Sequence, residues 1–460
     1  MPRDPASFRD PAGHVHHSRD GRIYRSILPP GVENYRAARD SGFLAAASRS
    51  GRLIEGHEVD PALLRDEAPD AVHVVEHPRL DFISYPYEWS FFGLRAAALL
   101  TLDLHLEALS HGLTLSDASA YNVQFVGPRP VFIDYLSPIK YEEGQVWLGY
   151  RQFCEQFLNP LLLTAKTGFA FQALYRGTLE GLGSADLGAL LPFRAKLNPR
   201  VALHVVLQGR LQRTVTIQRT ATARKLRLSK TALRNNIESM RSWVATLAPP
   251  ASQVTPWQSY EQTAQYTPEE RGAKAQFVAE VVAATRPRTV WSLGCNSGEY
   301  DEIALKNGAG SVIGFEPDAG ALNAAYQRAA TKHLSFLPLA IDLTNPSPSL
   351  GWRQQERLGL AQRRNADLVT CLALLHHLVL GRDLAVAEVL DWLVALAPAG
   401  IVEFVPKQDP MAQQLLTWKP HVAPDYDCAS VGALLRQRAR IEREEVVTAS
   451  GRVLFAFSRL

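Results

Sequence analysis

Thr289-Val-Trp-Ser-Leu-Gly-Cys-Asn-Ser-Gly298 is a β-rich run that breaks into a glycine turn, and a helical stretch follows it to about Asn307. A turn between a buried strand and a helix is a place where backbone approaches a ligand closely and no side chain fits. A second apolar run, Ser311-Val-Ile-Gly-Phe315, leads into Glu316-Pro-Asp318, and a third, Phe336–Ile341, leads into Asp342. A carboxylate at Glu316 is placed to accept hydrogen bonds from both hydroxyls of a ribose. One at Asp342 is placed to accept from an adenine amino group. The glycine turn, Glu316 and Asp342 thus fall at the ends of three successive strands. That constellation is far more specific than a glycine turn that merely packs a helix on a strand.

The same rhythm extends in both directions. A helix over Glu269–Thr285 precedes the turn, and further strands fit Asp367–Leu374 and Gly400–Val405, with helical stretches between. Strands alternating with helices indicate a parallel sheet covered on both faces. The end of the chain differs: Arg440–Val447 and Arg452–Arg459 are strand-like and joined by Thr448-Ala-Ser-Gly451, which reads as an antiparallel hairpin. A dinucleotide-binding domain is the rival reading. Its G-x-G-x-x-G fingerprint lets a pyrophosphate reach the helix N-terminus. Here Asn296 stands where the middle glycine is needed, and Glu299 begins the helix with a charge that repels a pyrophosphate but not a cation.

Leu293-Gly-Cys-Asn-Ser-Gly-Glu-Tyr300, Gly314-Phe-Glu-Pro317, Ala340-Ile-Asp342 and Leu372-Ala-Leu-Leu-His-His377 resemble the successive motifs of class I S-adenosylmethionine-dependent methyltransferases. The resemblance covers roughly 257–460, terminal hairpin included. It implies a Rossmann-like α/β fold with S-adenosylmethionine as cofactor, held by Gly294, Cys295, Asn296, Gly298, Glu316, Asp342 and Leu343. Aromatic residues of the lead-in segment, Tyr260 and Tyr266, are candidates to lie against the sulfonium or to pack as an amphipathic strap. Ser292 departs from the pattern, since many members carry an acidic residue there to meet the methionine amino group. At the reacting end, His376 and His377 are the candidate proton acceptors for transfer to oxygen or nitrogen, with a helix cap as the plainer role for one of them. Cys371 lies mid-strand and reads as a buried hydrophobe rather than a nucleophile. The Asn/Asp-Pro-Pro-aromatic loop of nucleobase amino-methylating enzymes is missing. A small-molecule or glycan-like acceptor is therefore expected.

The N-terminal half reads as α+β. Strand-like pieces fit Ser7–Arg9, Gly13–His17, Arg22–Ile27, Val72–Glu76 and Leu80–Tyr85, and Phe91–Ser110 reads as a helix. Then comes Asp117-Ala-Ser-Ala-Tyr-Asn122, a strand over Val123–Val126, a turn Gly127-Pro-Arg-Pro130 and a strand over Val131–Asp134. This resembles the catalytic segment of protein-kinase-like and aminoglycoside-kinase-like phosphotransferases. In that family an Asp accepts the substrate proton, and an Asn five residues on and a later Asp bind magnesium. Asp117, Asn122 and Asp134 match. No lysine precedes Lys140, however, and no G-x-G-x-x-G loop opens the chain. An Arg such as Arg25 or Arg52 can substitute only as a rigid fork rather than a point charge. The reading is a degenerate kinase-like domain, a pseudokinase, that positions acceptor or partner.

The expected organisation is a kinase-like domain over 1–247, a Pro- and Ser-containing linker over 248–256 and the methyltransferase domain over 257–460, which suits a chain of 460 residues. The net charge of +3 gives no sign of a polyanionic partner. The acid-free stretch from Arg194 to Arg234 reads as a solvated face, so nucleic acid is not an expected partner. Four scattered cysteines form no zinc motif or disulfide framework, and no metal is expected. The apolar helix Phe91–Leu109 carries Arg95, Asp103, His105 and Glu107 and cannot span a bilayer. These features indicate a cytoplasmic location. Three alternatives remain open: a bifunctional kinase–methyltransferase, a cofactor-binding scaffold, and an NAD-dependent enzyme.

Overall fold

The computed structural model describes residues 1–209, 227–250, 266–363, 366–417, 423 and 425–460. They belong to two units, Met1–Gln253 with Pro348–Gly359, and Val254–Ser347 with Leu360–Leu460. Tyr260, Trp257 and most of the expected linker lie outside the described residues, as does the middle of the basic stretch.

In the first unit β1 (Gly13–His17) and β2 (Ile23–Ile27) pair antiparallel, and helices α1 (Pro29–Asp40) and α2 (Phe43–Arg49) follow. With β3 (His57–Val59) and β4 (His73–His77) the strands complete a four-stranded antiparallel sheet in the order β1-β2-β4-β3. The Ser90 hydroxyl accepts from the Gly93 amide at 2.9 Å and starts α3 (Phe91–Ser110), where the apolar run begins. Two small antiparallel pairs follow: β5 (Leu113–Leu115) with β8 (Pro138–Lys140), and β6 (Val123–Val126) with β7 (Arg129–Phe132). Helix α4 (Lys230–Thr246) runs beside α3: Arg241 pairs with Asp103, and Arg95 donates to the Leu247 carbonyl at 2.7 Å.

Two expected strands are not there. Ser7–Arg9 gives way to a short 3-10 turn, because Pro5 opens a turn capped by Asp4, whose carboxylate accepts from the Ala6 amide at 2.7 Å. Leu80–Tyr85 does not pair with β4, whose neighbours are β2 and β3. Its backbone is satisfied instead by side chains: Gln124 bonds both the amide and the carbonyl of Ser84 at 3.0 Å, and Glu88 accepts from the Tyr85 amide. Residues 348–359, which the sequence reading places in the C-terminal domain, group with this first unit. There Arg9 pairs with Glu356 at 2.7 Å, and the Arg357 guanidinium lies 4.0 Å from the centre of the Tyr121 ring.

The second unit has the expected Rossmann-like α/β fold. In chain order it comprises α5 (Pro268–Thr285), β9 (Thr289–Leu293), α6 (Glu299–Lys306), β10 (Ser311–Phe315), α7 (Ala319–Lys332) and β11 (Phe336–Leu339). It continues with β12 (Leu368–Cys371), α8 (Val386–Leu396), β13 (Ala399–Phe404), α9 (Cys428–Arg436), β14 (Ala439–Val446) and β15 (Val453–Arg459). The sheet order is β11-β10-β9-β12-β13-β15-β14. The first five strands are parallel, and β15 inserts antiparallel between β13 and β14. The mixed sheet and its terminal hairpin are as the sequence implies. Strands β11 and β12 are buried at every position, which is why they read as continuous apolar runs. Strand β14 alternates half-buried and exposed residues after Ala439 and presents Arg and Glu along the sheet edge, which disfavours further pairing. The sequence order of the strands switches between β9 and β12, from which it runs outward in both directions, and this opens a crevice at their carboxyl ends. No helix among the described residues is long and apolar enough to cross a membrane.

Candidate functional site

A cavity of about 550 Å³ occupies that crevice. The turn after β9 forms its floor. Gly294 and Gly298 have φ of +71° and +84°, where any side chain is strained, and a Cβ on Gly298 would come within 2.5 Å of the Phe336 ring. Gly294, Cys295 and Asn296 line the cavity, whereas Gly298 stands behind its wall and serves the turn. The Gly294 and Cys295 amides both donate to the Phe315 carbonyl, at 2.9 and 3.1 Å, which ties the turn to β10.

Glu316, just past β10, is 8% exposed and lines the cavity. Its carboxylate is held by two backbone amides, Asn296 at 3.0 Å and Asp318 at 2.9 Å, one on each oxygen. Burial pushes its pKa up to about 7, and the two amides oppose the rise. Each oxygen keeps a lone pair that no described group uses, and this is the pair of acceptors that the two hydroxyls of a vicinal diol can donate to. Asp318 itself caps α7 through the Ala321 amide at 2.8 Å. Asp342 and Leu343 line the cavity past β11. The Asp342 carboxylate accepts from the Thr344 amide at 2.9 Å and stands 3.7 Å from Arg382.

The two histidines separate. His377 lines the cavity and His376 does not, being fully buried with neither ring nitrogen hydrogen-bonded among the described residues. Burial and then the Arg452 charge hold His377 down to about 4, so it is neutral at physiological pH. Cys371 is buried in β12 with its thiol pushed up to about 12, which leaves no thiolate for nucleophilic attack.

Tyr266 lines the cavity beside Lys274, and both belong to a buried ionic network that no sequence motif marks. Glu403, at the end of β13 and fully buried, accepts from Lys274 at 2.7 Å, from the Tyr266 hydroxyl at 3.0 Å and from the Ala373 amide at 2.8 Å. Arg452 donates to Tyr266 and forks onto Asp409 at 2.7 and 3.0 Å. Burial alone would raise the Glu403 pKa, but Lys274 and Arg452 hold it below its ordinary value, so the carboxylate is charged. The network pins Ala373, a cavity-lining residue with φ of +47°, in a left-handed conformation that needs such support. The sequence signal was a glutamate inside the apolar run Ile401-Val-Glu-Phe404, since a buried charge demands partners.

The first unit brings its three candidates together. Asn122 donates to Asp134 at 3.4 Å and also bonds Asp117. Burial, then the Asp134 charge, raise the Asp117 pKa. Arg25 stands 3.2 Å from Asp134, while Arg52 pairs with Glu107 at 2.6 Å. Among the described residues no group of three or more His, Cys, Asp or Glu is arranged to hold a metal.

No family model matches the chain. A curated relative, the nodulation protein NoeA of Rhizobium meliloti (strain 1021), is 41% identical over 460 residues, which covers 99% of this chain and 96% of that protein. Among solved structures, the chain is similar to the magnesium protoporphyrin IX methyltransferase ChlM of Synechocystis PCC 6803 with bound SAM. The identity is 18%, the match covers 44% of this chain and 90% of that one, and the TM-score is 0.31. It is similar also to the N-methyltransferase NodS of Bradyrhizobium japonicum WM9 in complex with S-adenosyl-L-homocysteine, at 13% identity over 44% of this chain and 97% of that one, with a TM-score of 0.32. A third similar structure is the bifunctional kinase-methyltransferase WbdD, at 20% identity over 44% of this chain and 41% of that one, with a TM-score of 0.31.

Proposed function

The chain belongs to the family of the nodulation protein NoeA, and from that premise we propose that it is an S-adenosylmethionine-dependent methyltransferase. The observation that carries the reading is Glu316: a buried carboxylate fixed by two amides, facing a cavity at the switch point of a 3-2-1-4-5-7-6 sheet. Glu316 takes the ribose hydroxyls, Asp342 the adenine amino group, and the Gly294–Asn296 backbone the methionine portion. The cofactor supplies an electrophilic methyl group on a sulfonium. Two cavity-lining carboxylates in the first turn of α6, Glu299 and Asp301, favour such a cation over a pyrophosphate and weigh against a nicotinamide dinucleotide.

At the reacting end, His377 and the Tyr266–Lys274 pair face the acceptor. An imidazole with a pKa near 4 is a weak base, so His377 orients an acceptor lone pair through a neutral ring nitrogen and takes its proton late in the transfer. The acceptor is an oxygen or nitrogen of a small molecule or glycan-like compound. The first unit positions it, or a partner, and does not act as a kinase. Arg25 already neutralises Asp134, the residue that would have to hold magnesium. Titration of the full chain by calorimetry tests the reading: S-adenosylhomocysteine binds and NADH does not. Tight NADH binding without the adenosyl ligand reverses the assignment.

A further inference from the structure

Ser292 leaves a gap in the cofactor site. It lines the cavity at the end of β9, and its hydroxyl carries no charge to balance an ammonium group. Asp301 lies in the first turn of α6 and lines the same cavity while only 3% exposed. Its carboxyl is hydrogen-bonded to Ser292, and its Oδ2 has no hydrogen-bond partner among the described residues. An orphaned carboxylate oxygen in a buried setting is costly, and on a residue that lines a cavity a bound ligand can complete it.

A plain helix-dipole role does not account for this placement. Glu299 and Glu302 already supply acidic charge to the same first turn, and Glu302 is committed to Lys306, Arg328 and Lys332 at 2.7–3.2 Å. Arg328, whose charge acts on Asp301, is occupied with Glu302 and with the Ser297 carbonyl at 2.9 Å. Burial therefore dominates at Asp301 and holds its pKa up to about 7. An incoming cation would restore the charged form.

We propose that Asp301 receives the α-ammonium group of the cofactor's methionine portion, replacing from the helix the carboxylate that β9 lacks, with the Ser292 hydroxyl fixing its orientation. The assignment rests on the methyltransferase reading and refines it.

The test compares two ligands on the full chain. S-adenosylhomocysteine carries the amino acid, and 5′-methylthioadenosine keeps the adenosine and sulfur without it. Asp301→Asn should weaken S-adenosylhomocysteine by about tenfold or more while leaving methylthioadenosine nearly unchanged. Ser292→Asp in the Asp301→Asn background should recover most of the loss by returning the charge to the strand end. Undiminished S-adenosylhomocysteine binding by Asp301→Asn overturns the assignment. So does an equal loss for both ligands, which marks a general collapse of the pocket. A wild-type chain that binds neither ligand removes the cofactor reading and this assignment with it.

Discussion

Glu316 and Asp134 are both carboxylates just past a strand, yet they are held in opposite ways. Glu316 rests on two neutral backbone amides, so its charge remains uncompensated and available to a ligand. Asp134 has an arginine at 3.2 Å and an asparagine at 3.4 Å, and its charge is spent within the protein. Amide donors orient a carboxylate without neutralising it, whereas a guanidinium does both. The second unit thus holds a site waiting for donors and positive charge. The first holds a polar cluster of Asp117, Asn122, Asp134 and Arg25 that bond one another.

The largest effect should come from the network that backs the second site. Glu403→Ala leaves Lys274 and Arg452 buried without their shared carboxylate, and loss of one partner of a buried pair costs about 3–5 kcal/mol. Denaturant unfolding of the full chain should show that loss. A change under about 1 kcal/mol would mean that water reaches the network and that Ala373 is not held by it.

Next in size is Glu316→Ala, which should weaken S-adenosylhomocysteine by roughly ten- to a hundredfold, the worth of charge-assisted hydrogen bonds. Asp134→Ala should leave that affinity alone. The pH dependence sharpens the contrast. Burial raises both Glu316 and Asp301 to about 7, so the free site binds protons that the ligand displaces. Affinity should rise as pH climbs through 7 and level off above it. His377, near 4, stays neutral across this window and adds nothing. The ligand-free fold shows the opposite sign. A raised carboxylate pKa stabilises the folded state below the ordinary value and loses that contribution as pH approaches 7. Calorimetric titrations at pH 6 and 8 read the first effect, and thermal unfolding without ligand reads the second.

What was legible in the sequence follows the range of the interactions. The glycine turn, Glu316 and Asp342 are local: each needs a particular residue type at a fixed distance from a strand end, so spacing betrays them. The hairpin was equally local, set by Thr448–Gly451 between two alternating runs. The insertion of β15 between β13 and β14 was not, because sheet order is written in long-range contacts. The same holds for Glu403 and Lys274, 129 residues apart in the chain. Asp301 stayed hidden for another reason: an acidic residue in a helix's first turn is ordinary, and only its burial marks it. His376 and His377 are neighbours in sequence, but consecutive residues on a helical turn point roughly 100° apart, so only one meets the cavity. Leu80–Tyr85 misled because its alternation is real, while Gln124 supplies the bonds a partner strand would have given.

The smallest expected effect on the cofactor site is that of Asp117→Ala. Asp117 is half-buried, feels the Asp134 charge and is held by the Ser119 amide at 2.8 Å, all within the first unit. Its removal should leave S-adenosylhomocysteine affinity within about twofold, since neither Asp117 nor the groups it bonds line the cofactor cavity. Turnover is where it should count. If the first unit positions the acceptor, methyl transfer from labelled cofactor to an extract containing that acceptor should show a raised KM with little change in kcat. That is the pattern of lost binding rather than lost chemistry. ATP-dependent phosphorylation by the wild-type chain, abolished by Asp117→Ala, would reverse the contrast. It would require Arg25 to leave Asp134 for a metal ion to enter, and the two units would then each hold a working active site.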